Sequence, residues 1–101
     1  MNDLYLRQEH IECLYNIFNS YCPKAEIVAY GSRISGNCHD GSDLDLAVIS
    51  FHDPEKNLSE LKTLISDSNI PFLIDILEYE TVPPSFQKEI KRKNILLYKG
   101  I

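Results

Sequence analysis

The 101-residue sequence contains no apolar run approaching the ~18 residues that a membrane span requires. Its start, Met1-Asn2-Asp3, lacks the basic opening and apolar stretch of a secretory signal, so the expected compartment is the cytosol. Cysteine is scarce. Cys13, Cys22 and Cys38 are an odd number without CxxC spacing, which argues for free thiols over a disulfide framework or a zinc site. Cys38-His39-Asp40 are adjacent in sequence, a poor geometry for chelating one metal. Positive charge is also in deficit: ten Lys and Arg against fifteen Asp and Glu leave a net charge of −5. No basic field exists to release counterions from a phosphate backbone, so direct nucleic-acid binding is not expected. Repeats, low-complexity tracts and linkers are missing, and the length suits one domain over 1–101. Two catalytic signatures are absent as well, the P-loop lysine and the G-x-S-x-G elbow. Asp40 to Phe51 fails as a calcium loop because its twelfth position is Phe51 instead of glutamate.

What is present is an ordered series of elements. After Asn2 or Asp3 as an N-cap, apolar residues recur at Leu4, Ile11, Leu14, Tyr15, Phe18 and Tyr21, a stripe on one helical face that Cys22-Pro23 ends. Ile27 to Tyr30 is a short β-prone run stopped by Gly31-Ser32. A polar stretch punctuated by Gly31, Gly36 and Gly41 then leads to the strongest strand, Leu44 to Ile49, with Leu44, Leu46 and Val48 on one face. Asp53-Pro54-Glu55 reads as a helix start, with Leu58, Leu61, Leu64 and Ile65 on the buried side. Phe72 to Leu77 is a third strand, Pro83-Pro84-Ser85 introduces a short helix carrying Phe86 and Ile90, and Ile95 to Tyr98 is a last strand. This order predicts an α/β (α+β) two-layer domain with a small sheet of three or four strands and flanking helices. Parallel and antiparallel pairings are not separable from the pattern.

The chemistry is concentrated in Tyr30 to Ile49, YGSRISGNCHDGSDLDLAVI. Asp43 and Asp45 stand two apart on a strand, so both carboxylates project from the face opposite Leu44, Leu46 and Val48. Like charges this close repel, and a sheet has no structural reason to hold them there. A divalent cation removes that cost, because Mg²⁺ takes hard oxygens from one or two carboxylates, phosphates and water. Alone, an Asp-x-Asp pair reads more simply as two solvated acids at a strand edge. Gly31-Ser32 shifts the balance: it follows a strand and opens a turn whose N–H groups can face an anion, and glycine lets the backbone approach a phosphate closely. Arg33 offers a nearby cation, or is simply a solvated arginine. Asp75, inside the aliphatic run Leu73-Ile74-Asp75-Ile76-Leu77, is costly unless it meets a metal or a donor.

Gly31-Ser32, ten residues, then Asp43-Leu44-Asp45 resembles the signature of the DNA polymerase β-like nucleotidyltransferase superfamily. The string GSRISGNCHDGSDLDLAV resembles its minimal nucleotidyltransferase (MNT) branch, whose third carboxylate corresponds to Asp75. The short helix and aliphatic-Tyr ending from Phe86 to Tyr98 is similar too. The resemblance implies the polymerase β-like fold and transfer of AMP from ATP with two Mg²⁺ ions. It implies that Asp43 and Asp45 hold the metals against the triphosphate. Asp75 would bind the catalytic metal and orient or deprotonate the acceptor hydroxyl, while Gly31 and Ser32 hold the triphosphate. It also implies a partner: members of this branch pair with a helical HEPN-type toxin and, as antitoxin, adenylylate a tyrosine on it.

The short chain is expected to leave the acceptor site to a second copy or to another protein. Two alternatives stand beside the enzyme: a module that neutralises its partner by contact, with the acids vestigial, and a transferase acting on a small molecule of the antibiotic type. His39 reads as a solvated loop histidine and His10 and His52 as surface positions. Lys88, Lys91, Arg92 and Lys93 form a basic run, read as a solvated helix face that could meet an acidic partner or the triphosphate. Tyr5, Tyr15 and Tyr21 read as packing residues.

Overall fold

The computed structural model describes residues 6–31 and 44–100. Helix α1 (Gln8–Tyr21) leads to strand β1 (Glu26–Tyr30). Strand β2 (Leu44–Ser50), helix α2 (Leu58–Ser66) and strand β3 (Ile74–Glu78) follow as one crossover unit. A single 3₁₀ turn (Tyr79–Thr81), helix α3 (Pro84–Arg92) and strand β4 (Ile95–Lys99) complete the chain. The sheet order is β3-β2-β1-β4, with β1 antiparallel to both β2 and β4 and β2 parallel to β3. The pairing that the sequence left open is thus a mixed one. The parallel pair needs a crossover, and α2 supplies it.

The alternation in β2 sorts the molecule into two faces. Leu44, Leu46 and Val48 point to a core built with Leu14, Phe18 and Cys22 around α1, Leu61 and Ile65 on α2, and Ile27, Ala29 and Ile76 on the neighbouring strands. On the other face a small cluster of Val28, Ala47 and Ile90 seats α3. Tyr98 ties β4 to α1 by donating to Asn19 Oδ1 at 2.5 Å. The Tyr21 hydroxyl accepts from Asn57 N at 3.0 Å and donates to the Glu60 carboxylate, joining α1 to the start of α2. Cys13 and Cys22 are free thiols, as expected; Cys38 lies outside the described residues. Among the described residues no helix is long and apolar enough to cross a membrane.

Several boundaries differ from expectation. The cap position of α1 is Arg7, without a side-chain hydrogen bond, in place of Asn2 or Asp3. Those two residues and Leu4 lie outside the described residues. Helix α2 starts at Asn57 instead of Asp53. Asp53 Oδ1 accepts from Glu55 N at 3.0 Å and its carbonyl from Lys56 N at 3.2 Å, which closes a separate turn. Asn57 then takes the Glu60 N–H at 2.9 Å while its amide reaches the Glu60 carboxylate at 3.2 Å, a reciprocal cap. Leu64 and Tyr15, placed on buried stripes by periodicity, are about two-fifths exposed at the margins of those stripes. The third strand begins at Ile74 instead of Phe72, and His10 is half-buried with its ring edge-on to Phe72 at 5.2 Å.

Candidate active site

Three of the six residues singled out from the sequence, Gly31, Asp45 and Asp75, are described; Ser32, Arg33 and Asp43 lie outside the described residues, as does His39. The strand ladders bring the three described residues together. Asp45 pairs with Asp75 across the parallel β2–β3 ladder, and Tyr30 pairs with Asp45 across the antiparallel β1–β2 ladder. Directly paired residues point to the same side of a sheet. Tyr30, Asp45 and Asp75 therefore form one row across three strands, on the face opposite the main core. Asp45 is half-buried in the middle of the row, and Asp75 is exposed on the terminal strand β3.

Gly31 ends β1 beside this row. Its φ of 85° lies in the left-handed region that favours glycine. A Cβ at this position would collide with Asp45 Oδ2 and stand 3.3 Å from Asp45 Cγ. The conformation calls for glycine here, and any larger residue would also displace the Asp45 carboxylate, over which the exiting backbone folds.

Paired neighbours on adjacent strands stand about 5 Å apart, so two ionised carboxylates in register repel one another. Tyr30 records the resulting field. Burial first, then the charges of Asp45 and Asp75, push its phenol up to about 12, so the hydroxyl is a fixed donor at neutral pH. Its ring meets Phe86 of α3 edge-on, with centroids 5.9 Å apart. The sequence signals that single out the acids did not mark Tyr30 or Phe86. Tyr30 reads as the end of a strand, and only the ladder shows that it shares a face with the carboxylates.

The described carboxylates suit a hard divalent cation: two sets of oxygen donors lie side by side, with an open backbone at Gly31 in front of one of them. Among the described residues no three His, Cys, Asp or Glu side chains cluster to hold a metal; Asp43, the first acid of the Asp-x-Asp pair, is not among them. The basic run is exposed on α3 and its exit, where Arg92 pairs with Glu89 at 2.9 Å and Lys91 lies over the Tyr79 ring.

A relative described as a probable protein adenylyltransferase MntA, from Haemophilus influenzae, is 30% identical over 94 residues, spanning 91% of this chain and 82% of the relative. A crystal structure of a toxin–antitoxin with AMP-PNP contains a chain that superimposes with a TM-score of 0.69 at 21% identity, over 88% of this chain and 73% of that one. The toxin–antitoxin MntA–HepT gives a TM-score of 0.63 at 18% identity, over 92% of this chain and 73% of that one. At such identities the structural likeness establishes the shared fold. Residues 12–100 match the family described as Polymerase beta, Nucleotidyltransferase, and this span takes in all four strands and the whole carboxylate row. The chain belongs to the polymerase β-like nucleotidyltransferase family.

Proposed function

We propose that the protein transfers AMP from ATP to a hydroxyl, a tyrosine, on a helical HEPN-type toxin, and so acts as an antitoxin in the cytosol. The observation that carries the reading is the register of Asp45 with Asp75 beside the glycine that folds over Asp45. The H. influenzae relative described as a probable protein adenylyltransferase supports the choice of a protein acceptor. The toxin–antitoxin with AMP-PNP supports an adenine nucleotide as donor.

In this reading Asp43, Asp45 and Asp75 would be the residues that hold Mg²⁺. Two bound Mg²⁺ ions would supply charge stabilisation for an in-line displacement. The chain's own residues do the rest. Gly31 and Ser32 seat the triphosphate, with Arg33 as a nearby cation. Asp75, exposed on the terminal strand, orients the incoming hydroxyl and takes its proton. The acceptor oxygen bonds to the α-phosphorus, the bond to the β-phosphate bridging oxygen breaks, and pyrophosphate leaves. Positioning and charge neutralisation provide most of the catalysis in such transfers.

The test is mass spectrometry of the purified toxin partner after incubation with ATP and Mg²⁺. Wild type adds one AMP per modified tyrosine, and Asp45→Asn abolishes the addition. Persistence of labelling in Asp45→Asn would refute the metal-site assignment. If Asp45→Asn fails to label yet still silences the toxin at equal binding, the protein works by contact and the adenylylation is incidental.

A further inference from the structure

We propose that the Tyr30 hydroxyl is a substrate contact of the nucleotidyl-transfer site, donating a hydrogen bond to a phosphate oxygen of the bound nucleotide, and that Phe86 positions its ring. The inference rests on the nucleotidyltransferase reading and adds a residue to it. Tyr30 is the β1 member of the row that continues through Asp45 to Asp75, and it directly precedes Gly31, whose backbone covers the Asp45 carboxylate. A phosphate seated at Gly31 therefore lies next to this side chain. A donor is what that place requires. The two carboxylates in the row are acceptors and need cations to meet a phosphate, whereas a neutral phenol meets one directly. An ordinary tyrosine phenol is protonated at neutral pH and so offers that donor.

The ring is held from the opposite side. Ile90 packs α3 onto Val28 and Ala47, and Gln87 Nε2 donates to Tyr79 O at 2.9 Å, tying α3 to the turn after β3. Asn94 Nδ2 closes the C-terminal end of the helix on Ile90 O at 2.9 Å. These contacts set Phe86, in the first turns of α3, edge-on against Tyr30 at 5.9 Å. Edge-to-face pairs fix ring orientation as well as burying area. Phe86 is thus a positioning residue, acting through Tyr30, and this gives α3 a reason to cover only part of the second face.

The experiment is calorimetric titration of the full chain with ATP and Mg²⁺, alongside thermal melting. Tyr30→Phe keeps the aromatic contact and removes only the hydroxyl. It is expected to weaken ATP binding about tenfold, the loss of one hydrogen bond to a charged oxygen, with an unchanged melting temperature. Phe86→Leu keeps the hydroxyl and loosens its aim, and a loss of about two- to threefold is expected. Equal ATP affinity in wild type and Tyr30→Phe would overturn the inference while leaving the nucleotidyltransferase reading intact. A wild type that binds no ATP would overturn both. A weakened Phe86→Leu beside an unaffected Tyr30→Phe would also overturn it, since the aromatic contact would then matter without the donor.

Discussion

The two faces of the sheet are built to opposite specifications. One carries α1 and α2 and a continuous core from Leu14 and Phe18 through Leu46 to Ile76. Among the described residues, the other is closed by the small cluster under α3, and beside that cluster it presents Tyr30, Asp45 and Asp75. Hydrophobic burial on the first face carries the free energy of folding, roughly in proportion to the apolar area removed from water. That surplus lets the second face hold two carboxylates in register, an arrangement that costs stability. A single strand separates the two tasks by one residue at a time.

The largest expected effect breaks the comparison on β3, where Asp75 and Ile76 are neighbours on opposite faces. Ile76→Ala leaves a cavity in the main core and is expected to cost about 2–5 kcal/mol, read from urea denaturation. Asp75→Asn, at an exposed position, is expected to stay within about 0.5 kcal/mol of wild type. In the same pair AMP transfer falls at least about a hundredfold in Asp75→Asn, the scale for losing a group that acts on the reacting oxygens. If both variants lose stability alike, the division of labour between the faces is wrong.

Gly31→Ala sharpens the comparison at the edge of the site. The left-handed conformation and the collision with Asp45 together are expected to cost about 1–2 kcal/mol, with a larger proportional loss in ATP affinity. A stable Gly31→Ala that binds ATP normally would show that the approach of β1 to Asp45 has no role in binding.

The smallest effect at neutral pH belongs to the closed face. Burial pushes the Cys22 thiol up from 9.0 to about 11, so the folded state holds this proton more tightly than the unfolded chain does. The contribution is whole below pH 9 and is lost as pH rises from 9 through 11. The difference in urea midpoint between wild type and Cys22→Ala is expected to stay constant up to pH 9 and to narrow above it. A constant difference to pH 11 would mean that the thiol is hydrated in the folded protein.

Much of this was legible in the residues. The alternation of Leu44, Leu46 and Val48 with Asp45 fixes which side of β2 is buried, because a strand has a period of two and one face has to leave water. Ile90 and Pro84 announced α3, and the run around Asp75 announced β3. The start of α2 was misread because Asp53-Pro54-Glu55 has the composition of a helix cap, yet Asp53 serves its own turn and the reciprocal Asn57–Glu60 cap lies just beyond. Leu64 and Tyr15 were misread because periodicity assigns a stripe without saying how wide the covering partner is.

The sequence by itself determined the element types, the buried side of the central strand and the identity of the acids, since propensity and side-chain alternation are local properties. Only the tertiary structure decided that Asp75 comes to rest in register with Asp45, that Gly31 closes over Asp45, and that Tyr30 joins the row of acids and meets Phe86. These are relations between strands and a helix far apart in the chain. Pairing register is set by the whole packed sheet, so no local pattern can state it.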